Sequence, residues 1–206
     1  RGSWLDFEFD PKDILYFRID RKKKLPITTF LYAMGMSRQN ILEQFYTYDS
    51  YQFDTTTKTW STEFKPEKYK RPIKLLFDLI DKKNNKKVLK KGEKLNFILA
   101  EKLKNKDLNE VIVTTEELIG KYTKGEIKDK SGEVILRSGF NITKESLDKI
   151  LASEVYKLNL ANVDTILRGP YIFETIKQDK NNNKKEALID IYKVLRPGEP
   201  PSTEVA

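Results

Sequence analysis

Residues 4–19 alternate apolar with polar side chains in two short runs, and this period of two is typical of half-buried strands. The runs are residues 4–9 and 15–19, and the intervening segment contains Pro11, which suits the loop of a hairpin. The loop length predicts the register of the two strands: Phe9 opposite Leu15, Phe7 opposite Phe17 and Leu5 opposite Ile19. One face of the hairpin is then uniformly apolar, and we expect that face to point into the core.

The opposite face of the hairpin carries a candidate nucleic-acid site. The same register places Trp4 on this face, diagonal to Arg18. A basic run follows the second strand: Arg21, Lys22, Lys23 and Lys24. An exposed aromatic ring can stack a base while neighbouring cations hold phosphates, and each stacked base contributes about 1–3 kcal/mol. The pattern alone also fits a Trp that a neighbouring loop covers and a basic run that is only solvated.

The residue types that are missing exclude several classes of enzyme. The 206-residue chain has neither cysteine nor histidine, which excludes disulfides, thiol nucleophiles and Ser-His-Asp triads. Asp6, Glu8 and Asp10 share a strand face, but no second carboxylate cluster accompanies them for a metal site. The glycines are isolated and form no phosphate-binding loop. We therefore expect no catalytic residue, cofactor or metal site in this chain.

Hydropathy and charge favour a soluble protein with a polyanionic partner. No run approaches the roughly 20 apolar residues of a membrane span, so we expect a cytoplasmic protein without a membrane partner. The formal net charge is +8, and most of the excess lies in residues 45–168. A lysine tract supplies much of it: Lys82, Lys83, Lys86, Lys87, Lys90, Lys91 and Lys94. This tract is either a solvated hairpin or a further contact for nucleic acid.

Residues 27–45 predict two short helices separated by a glycine. Pro26 suits the first position of the first helix, Gly35 ends that helix, and Ser37 caps the second. This arrangement resembles a helix-turn-helix with three polar side chains at the start of its second helix: Arg38, Gln39 and Asn40. An independent helix-turn-helix regulator is therefore one alternative, and it requires these side chains to be exposed.

The middle of the chain predicts a compact α+β domain over residues 46–168. Short strands alternate there with helices whose caps are Asn96 and Thr143. The aromatic residues near its start recur at strand spacing, which is more typical of a core than of a binding platform: Tyr46, Tyr48, Tyr51, Phe53 and Trp60. We expect this block to be inserted into another domain.

The flanking residues 1–45 and 169–206 are predicted to be two segments of that other, incomplete α+β domain. The second segment completes it with a strand over residues 171–177 and a helix over residues 187–195. A rigid proline-rich stretch follows this helix, with no further strand or helix. The flanking segments therefore look like a piece of a larger protein.

Three stretches of the chain follow the pattern of one protein family in order and spacing. They read RGSWLDFEFDPKD at 1–13, RIDRKKKLP at 18–26, and GPYI at 169–172 with LRPGEPP at 195–201. Together they resemble the lobe domain of bacterial DNA-directed RNA polymerase beta subunits. The middle block resembles, by position and through GK at 120–121 and SGE at 131–133, the external domain that many lineages insert into this lobe.

The resemblance implies a non-catalytic wall of the polymerase main channel that contacts downstream duplex DNA and the non-template strand. It implies a set of nucleic-acid-binding residues: Trp4, Arg18, Arg21, Lys22, Lys23 and Lys24. It also implies other polymerase subunits and sigma factor as partners, regulators at the inserted domain, and a place at the nucleoid. The catalytic magnesium of the nucleotidyltransferase would be bound elsewhere in the parent enzyme. A structural interaction module without DNA contact is the remaining alternative.

Overall fold

The structure is a computed structural model that describes residues 2–163 and 169–201. In chain order its elements are β1 (Leu5–Phe9), β2 (Leu15–Ile19), β3 (Leu25–Pro26), α1 (Ile27–Ala33), α2 (Arg38–Phe45), β4 (Tyr48–Asp54), β5 (Thr59–Glu63), a 3-10 helix (Pro66–Tyr69), β6 (Ile73–Lys74), β7 (Leu79–Ile80), β8 (Lys87–Leu89), β9 (Lys94–Leu95), α3 (Phe97–Asn105), β10 (Glu110–Val113), α4 (Thr115–Leu118), β11 (Ile127–Lys128), β12 (Val134–Leu136), α5 (Lys144–Ala152), β13 (Lys157–Ala161), α6 (Tyr171–Gln178) and α7 (Lys184–Leu195). The helices and small antiparallel sheets confirm the predicted α+β class.

The first of two compact units comprises the described part of residues 1–47, 138–140 and 162–206. Its sheet has the order β1-β2-β3, and α1 and α6 pack against β2. Buried apolar side chains from the sheet and the helices form its core: Ile14, Phe17, Ile27, Tyr32, Ile41, Leu42, Tyr46, Ile172, Phe173, Ile176 and Ala187. Ser37 caps α2 as predicted. The predicted domain boundary at residue 168 lies outside the described residues.

A buried carboxylate joins α1 to the segment between α6 and α7. Asp179 Oδ2 accepts hydrogen bonds from the hydroxyls of Thr28 at 2.5 Å and Thr29 at 2.9 Å. Its Oδ1 accepts a third bond from the backbone N–H of Asn181 at 2.9 Å. Bonds to an ionised acceptor are stronger than neutral ones, so together they offset the cost of burying the charge.

The strand predicted over residues 171–177 is wrong, because this segment forms α6. Ile172, Phe173 and Ile176 are all buried, and their spacing lies on one face of a helix and not of a strand. The β-branched and aromatic residues of the segment favour a strand locally. Packing of the helical face against β2 and β3 overrides that preference.

The second unit comprises residues 48–137 and 141–161. Its main sheet is antiparallel with the order β10-β5-β4-β13. One apolar cluster joins Tyr51 and Trp60 of this sheet to side chains of α5, and a second surrounds Phe64 and includes Ala100 of α3. The first cluster confirms that Tyr51 and Trp60 belong to the core, with Phe53 packed against it, whereas Tyr46 is buried in the first unit. Asn96 and Thr143 cap α3 and α5, as predicted.

Candidate functional site

The hairpin β1–β2 has the register that its sequence predicts. Phe9 lies opposite Leu15, Phe7 opposite Phe17 and Leu5 opposite Ile19. In the loop, the Asp10 carboxylate accepts hydrogen bonds from the backbone N–H groups of Lys12 at 2.8 Å and Ile14 at 3.0 Å. These bonds close the loop and stabilise the register, which places the Trp4 side chain on the face opposite the phenylalanines.

The apolar face of the hairpin is only half covered, contrary to the expectation that all of it points into the core. Phe17 on β2 is 1% exposed, whereas Phe7 and Phe9 on β1 are 57% and 61% exposed. The cause is position in the sheet, because β1 is the edge strand while α1 and α6 pack against β2. Phe9 keeps an edge contact with the ring of Tyr171, at 5.0 Å between centroids.

Trp4 is held by its backbone and leaves its indole ring in solvent. Its N–H donates to the Asp20 carboxylate at 2.8 Å, and its carbonyl accepts from the Asp20 N–H at 2.9 Å. The side chain is 75% exposed, and together with Asp20 and Arg21 it lines a shallow surface concavity. The backbone of Trp4 is held by hydrogen bonds while the face of its ring is open to solvent. Base stacking requires this geometry.

Asp20 is a site residue that the predicted set of binding residues omits, although the predicted register already pairs it with Trp4. Asp20 and Arg21 have left-handed backbones, with φ of 49° and 57°, and these adjacent residues turn the chain directly after β2. The turn brings Arg21 to the concavity beside Trp4. The residue type of Asp20 could have indicated this turn from the sequence. Asp tolerates the left-handed region better than most residues and commonly bonds to nearby backbone N–H groups.

Arg18 and Lys24 both bind Glu8 on the polar face of the hairpin. Arg18 lies opposite Asp6 in the register, as predicted, but its guanidinium bonds to both carboxylate oxygens of Glu8 at 3.2 Å. Lys24 Nζ lies 2.9 Å from the same carboxylate and 4.5 Å from the ring centroid of Tyr16. Hydrogen bonds from Lys24 and then Arg18 lower the pKa of Glu8 below its usual value. Two of the predicted phosphate-binding cations are therefore already paired within the hairpin.

The other members of the basic run differ in their contacts. Lys22 Nζ donates to the backbone carbonyl of Leu195 at 2.6 Å, which ties the run to the end of α7. Lys23 is exposed, and among the described residues neither it nor Arg21 has a hydrogen-bond or ion-pair partner. The structure thus brings Trp4 and Arg21 together and leaves Lys23 in solvent. The remaining three cations, Arg18, Lys22 and Lys24, bond to other groups of the first unit.

The side chains that a helix-turn-helix would present are also bonded within the first unit. Arg38 donates to the side-chain oxygen of Asn182 at 3.0 Å. Asn40 forms the capping box with Ser37, and Gln39 donates to Glu43 at 3.1 Å along α2. These bonds hold the three side chains in roles that stabilise the unit.

Residues 2–163 and 169–201 lack two other features, a cluster of metal ligands and a membrane-spanning helix. No group of three or more Asp or Glu side chains converges as metal ligands would. No helix in these ranges is both long and apolar enough to cross a membrane.

The chain matches proteins of known family over its full length. Residues 1–178 match the family model described as RNA polymerase Rpb2, domain 2. Similar proteins include the DNA-directed RNA polymerase subunit beta of Caulobacter sp. (strain K31), 39% identical, of Rhizobium leguminosarum bv. trifolii (strain WSM2304), 42% identical, and of Rickettsia prowazekii (strain Madrid E), 43% identical. Each comparison covers 100% of this chain and 15% of the relative.

Proposed function

The chain belongs to the RNA polymerase Rpb2 domain 2 family, and from this premise we propose that its hairpin β1–β2 contacts DNA in the main channel of a bacterial RNA polymerase. In this proposal the first unit is part of the beta-subunit lobe. Trp4 stacks on an unpaired base of the non-template strand. Arg21 and Lys23 attract the neighbouring phosphates and the downstream duplex. Such a polymerase places this chain at the nucleoid, with the other subunits and sigma factor as partners.

The exposed indole of Trp4 beside Arg21 is the observation that carries the proposal. Large aromatic side chains are normally well buried, yet this one is among the most exposed apolar side chains of the described chain. Its backbone is fixed on both sides by Asp20, so little further ordering is needed when a base stacks on the ring. The adjacent guanidinium supplies a charge that favours phosphate.

The second unit is proposed to be a domain inserted into the lobe, where it offers a docking surface to transcription regulators. Its support is structural independence, because it contains its own sheet and its own two apolar clusters. A unit with its own core can vary at its surface without changing the hairpin that contacts DNA.

A structural interaction module without DNA contact is the second candidate function. The observation that favours it is the pairing of Arg18 and Lys24 with Glu8 and of Lys22 with the Leu195 carbonyl. These cations stabilise the fold and are less available to phosphates than the sequence predicts.

One experiment separates the two candidates. We expect Trp4→Ala in the assembled polymerase to shorten the lifetime of the open promoter complex by the equivalent of about 1–3 kcal/mol, because one stacking surface is lost. Stacking accepts every base but differs in strength, so the loss should depend on the non-template base at that position. The measurement compares lifetimes on promoters that differ at this single base.

Met34→Ala is the matched control, since Met34 is another strongly exposed apolar side chain of the first unit. Its lifetimes should equal those of the unmodified enzyme on every promoter. Lifetimes that respond neither to Trp4→Ala nor to the base would exclude the stacking role and leave the structural module.

A further inference from the structure

One segment of the second unit carries most of the net charge of the protein. Residues 70–98 contain ten lysines and arginines against three carboxylates, whereas the whole chain has a net charge of +8. Three of these lysines form ion pairs: Lys82 with Glu110, Lys83 with Asp107 and Lys87 with Asp78. The charged side chains of the other seven form no ion pair within the described residues: Lys70, Arg71, Lys74, Lys86, Lys90, Lys91 and Lys94.

An exposed apolar bend at residues 75–78 is hydrogen-bonded to the lysine-rich turn at residues 90–93 of this segment. Three hydrogen bonds join them: Leu75 N–H to the Glu93 carbonyl at 2.9 Å, Gly92 N–H to the Leu75 carbonyl at 2.7 Å, and Lys91 N–H to the Asp78 carboxylate at 2.7 Å. Within the bend, Leu76 is 74% exposed and Phe77 is 37% exposed. The bonds hold these two apolar side chains beside the turn that carries Lys90 and Lys91.

Two lysines of the same segment face each other across a strand pair. β6 pairs with β9 so that Lys74 lies directly opposite Lys94, next to the pair of Ile73 and Leu95. Like charges directly opposite one another in an antiparallel pair destabilise it. Both lysines are exposed, and neither forms an ion pair with a carboxylate of the described residues. An external carboxylate that bridges them would relieve this repulsion.

We propose that these residues form a docking surface for an acidic protein segment that carries an apolar anchor. The surface, here called the basic–apolar edge, consists of Ile73, Lys74, Leu76, Phe77, Lys90, Lys91 and Lys94. The anchor packs on Leu76 and Phe77, while carboxylates of the partner pair with the surrounding lysines. An apolar centre with a charged rim is the usual composition of a protein interface. The inference deepens the proposed docking role of the second unit and does not depend on DNA contact by Trp4.

Other occupants fit the basic–apolar edge less well. A second copy in a two-fold dimer would bring the same patch to both sides, so that lysines would face lysines. Phosphates of a nucleic acid would pair with the cations, but an aliphatic side chain offers no surface on which a base stacks. Leu76, the most exposed apolar side chain of the edge, would then remain uncovered. A lipid surface needs a larger apolar area than one bend provides.

Binding of an acidic amphipathic peptide to the 206-residue chain tests the proposal. The probe is a fluorescein-labelled peptide of Glu, Leu and Phe with its apolar residues on one helical face, and its binding is followed by fluorescence anisotropy. A second peptide keeps the glutamates and replaces Leu and Phe by Ser. We expect the amphipathic peptide to bind at least about tenfold more tightly than the second one, since only the first supplies an anchor.

Two variants of the edge and one matched control locate the binding site. The combined change Lys90→Gln, Lys91→Gln and Lys94→Gln should weaken binding about tenfold, and Leu76→Ser should weaken it by a similar factor. The control removes the same charge from exposed lysines elsewhere in the second unit, through Lys144→Gln, Lys149→Gln and Lys157→Gln. It should change binding by less than about twofold.

Several outcomes would overturn the proposal. They are no binding of the amphipathic peptide, equal weakening by the edge and control variants, or equal binding of the two peptides. Tighter binding of single-stranded DNA or of phosphatidylglycerol vesicles, with no effect of Leu76→Ser, would assign the edge to nucleic acid or lipid. None of these results bears on the open-complex lifetimes, which decide the role of Trp4 separately.

Discussion

The hairpins β1–β2 and β4–β5 share a pattern but differ in their surroundings. Each has a strand in which aromatic residues alternate with polar ones, and a tryptophan lies just before β1 and in β5. Trp4 at the start of the first hairpin is 75% exposed, whereas Trp60 in the second is 2% exposed. In the first hairpin, β1 is an edge strand of its sheet, whereas β4 and β5 are the two central strands of theirs. A central position gives each strand neighbours on both sides, and an edge position does not.

The difference teaches that alternation and burial are separate properties. Alternation determines which side chains share a face, because successive residues of a strand point to opposite sides. Burial depends on what packs against that face. Trp60 contacts Phe53 at 5.2 Å between ring centroids and belongs to a cluster that includes Leu147 and Ile150 of α5. Phe7 has the same alternation, but it lies on an edge strand and remains exposed.

The largest expected effect is that of Trp60→Ala on the stability of the second unit. Removal of a fully buried Trp leaves a cavity, and we expect a loss of about 3–5 kcal/mol in the free energy of unfolding. Trp4→Ala in the same chain should change stability by less than about 0.5 kcal/mol, because the ring is in solvent. Amide exchange in urea measures the two values, at second-unit residues for Trp60→Ala and at first-unit residues for Trp4→Ala.

Trp60→Phe serves as the control for the cavity. The indole Nε1 of Trp60 is buried without a hydrogen-bond partner among the described residues, so a phenyl ring removes an unsatisfied donor while keeping most of the volume. This variant should lose clearly less stability than Trp60→Ala. Equal losses for Trp4→Ala and Trp60→Ala would show that the two hairpins do not differ in burial.

The next largest effect is expected within the first hairpin itself. Phe17 and Phe7 lie directly opposite each other, but only Phe17 is buried. Phe17→Ala should destabilise the first unit by about 3 kcal/mol or more, because it opens a cavity beneath α1 and α6. Phe7→Ala should cost less than about 1 kcal/mol. The same urea and exchange measurement on first-unit amides compares the two, and similar losses would mean that β1 is covered as well as β2.

Local features of this fold were predictable from the sequence because local residues determine them. The register of β1–β2 follows from loop length, and the caps Ser37, Asn96 and Thr143 follow from side chains that bond to the next helical turn. The helix α6 was missed because tertiary packing overrode the strand preference of its residues.

In the candidate site, the position of Trp4 on the polar face was predicted and the use of the cations was not. The sequence shows how many charges a segment carries, but not which carboxylate each one meets in the fold. Arg18 and Asp6 are opposite in the register, yet the guanidinium reaches Glu8. Long flexible side chains choose partners diagonally as well as directly across a strand pair.

The smallest expected effect concerns the charges that hold the polar face of the first hairpin. Hydrogen bonds from Lys24 and Arg18 lower the pKa of Glu8, so in a carbon-13 NMR titration its carboxyl should titrate below the usual glutamate range. A carboxyl whose pKa is lower in the folded state adds stability above its unfolded pKa, and this contribution disappears as the pH falls through the folded pKa. Lys24→Gln should raise the Glu8 pKa more than Arg18→Gln, because the Lys24 bond has the larger influence. A Glu8 carboxyl that titrates at its usual value would mean that both cations are free, which would make the first hairpin a stronger phosphate-binding surface than its ion pairs indicate.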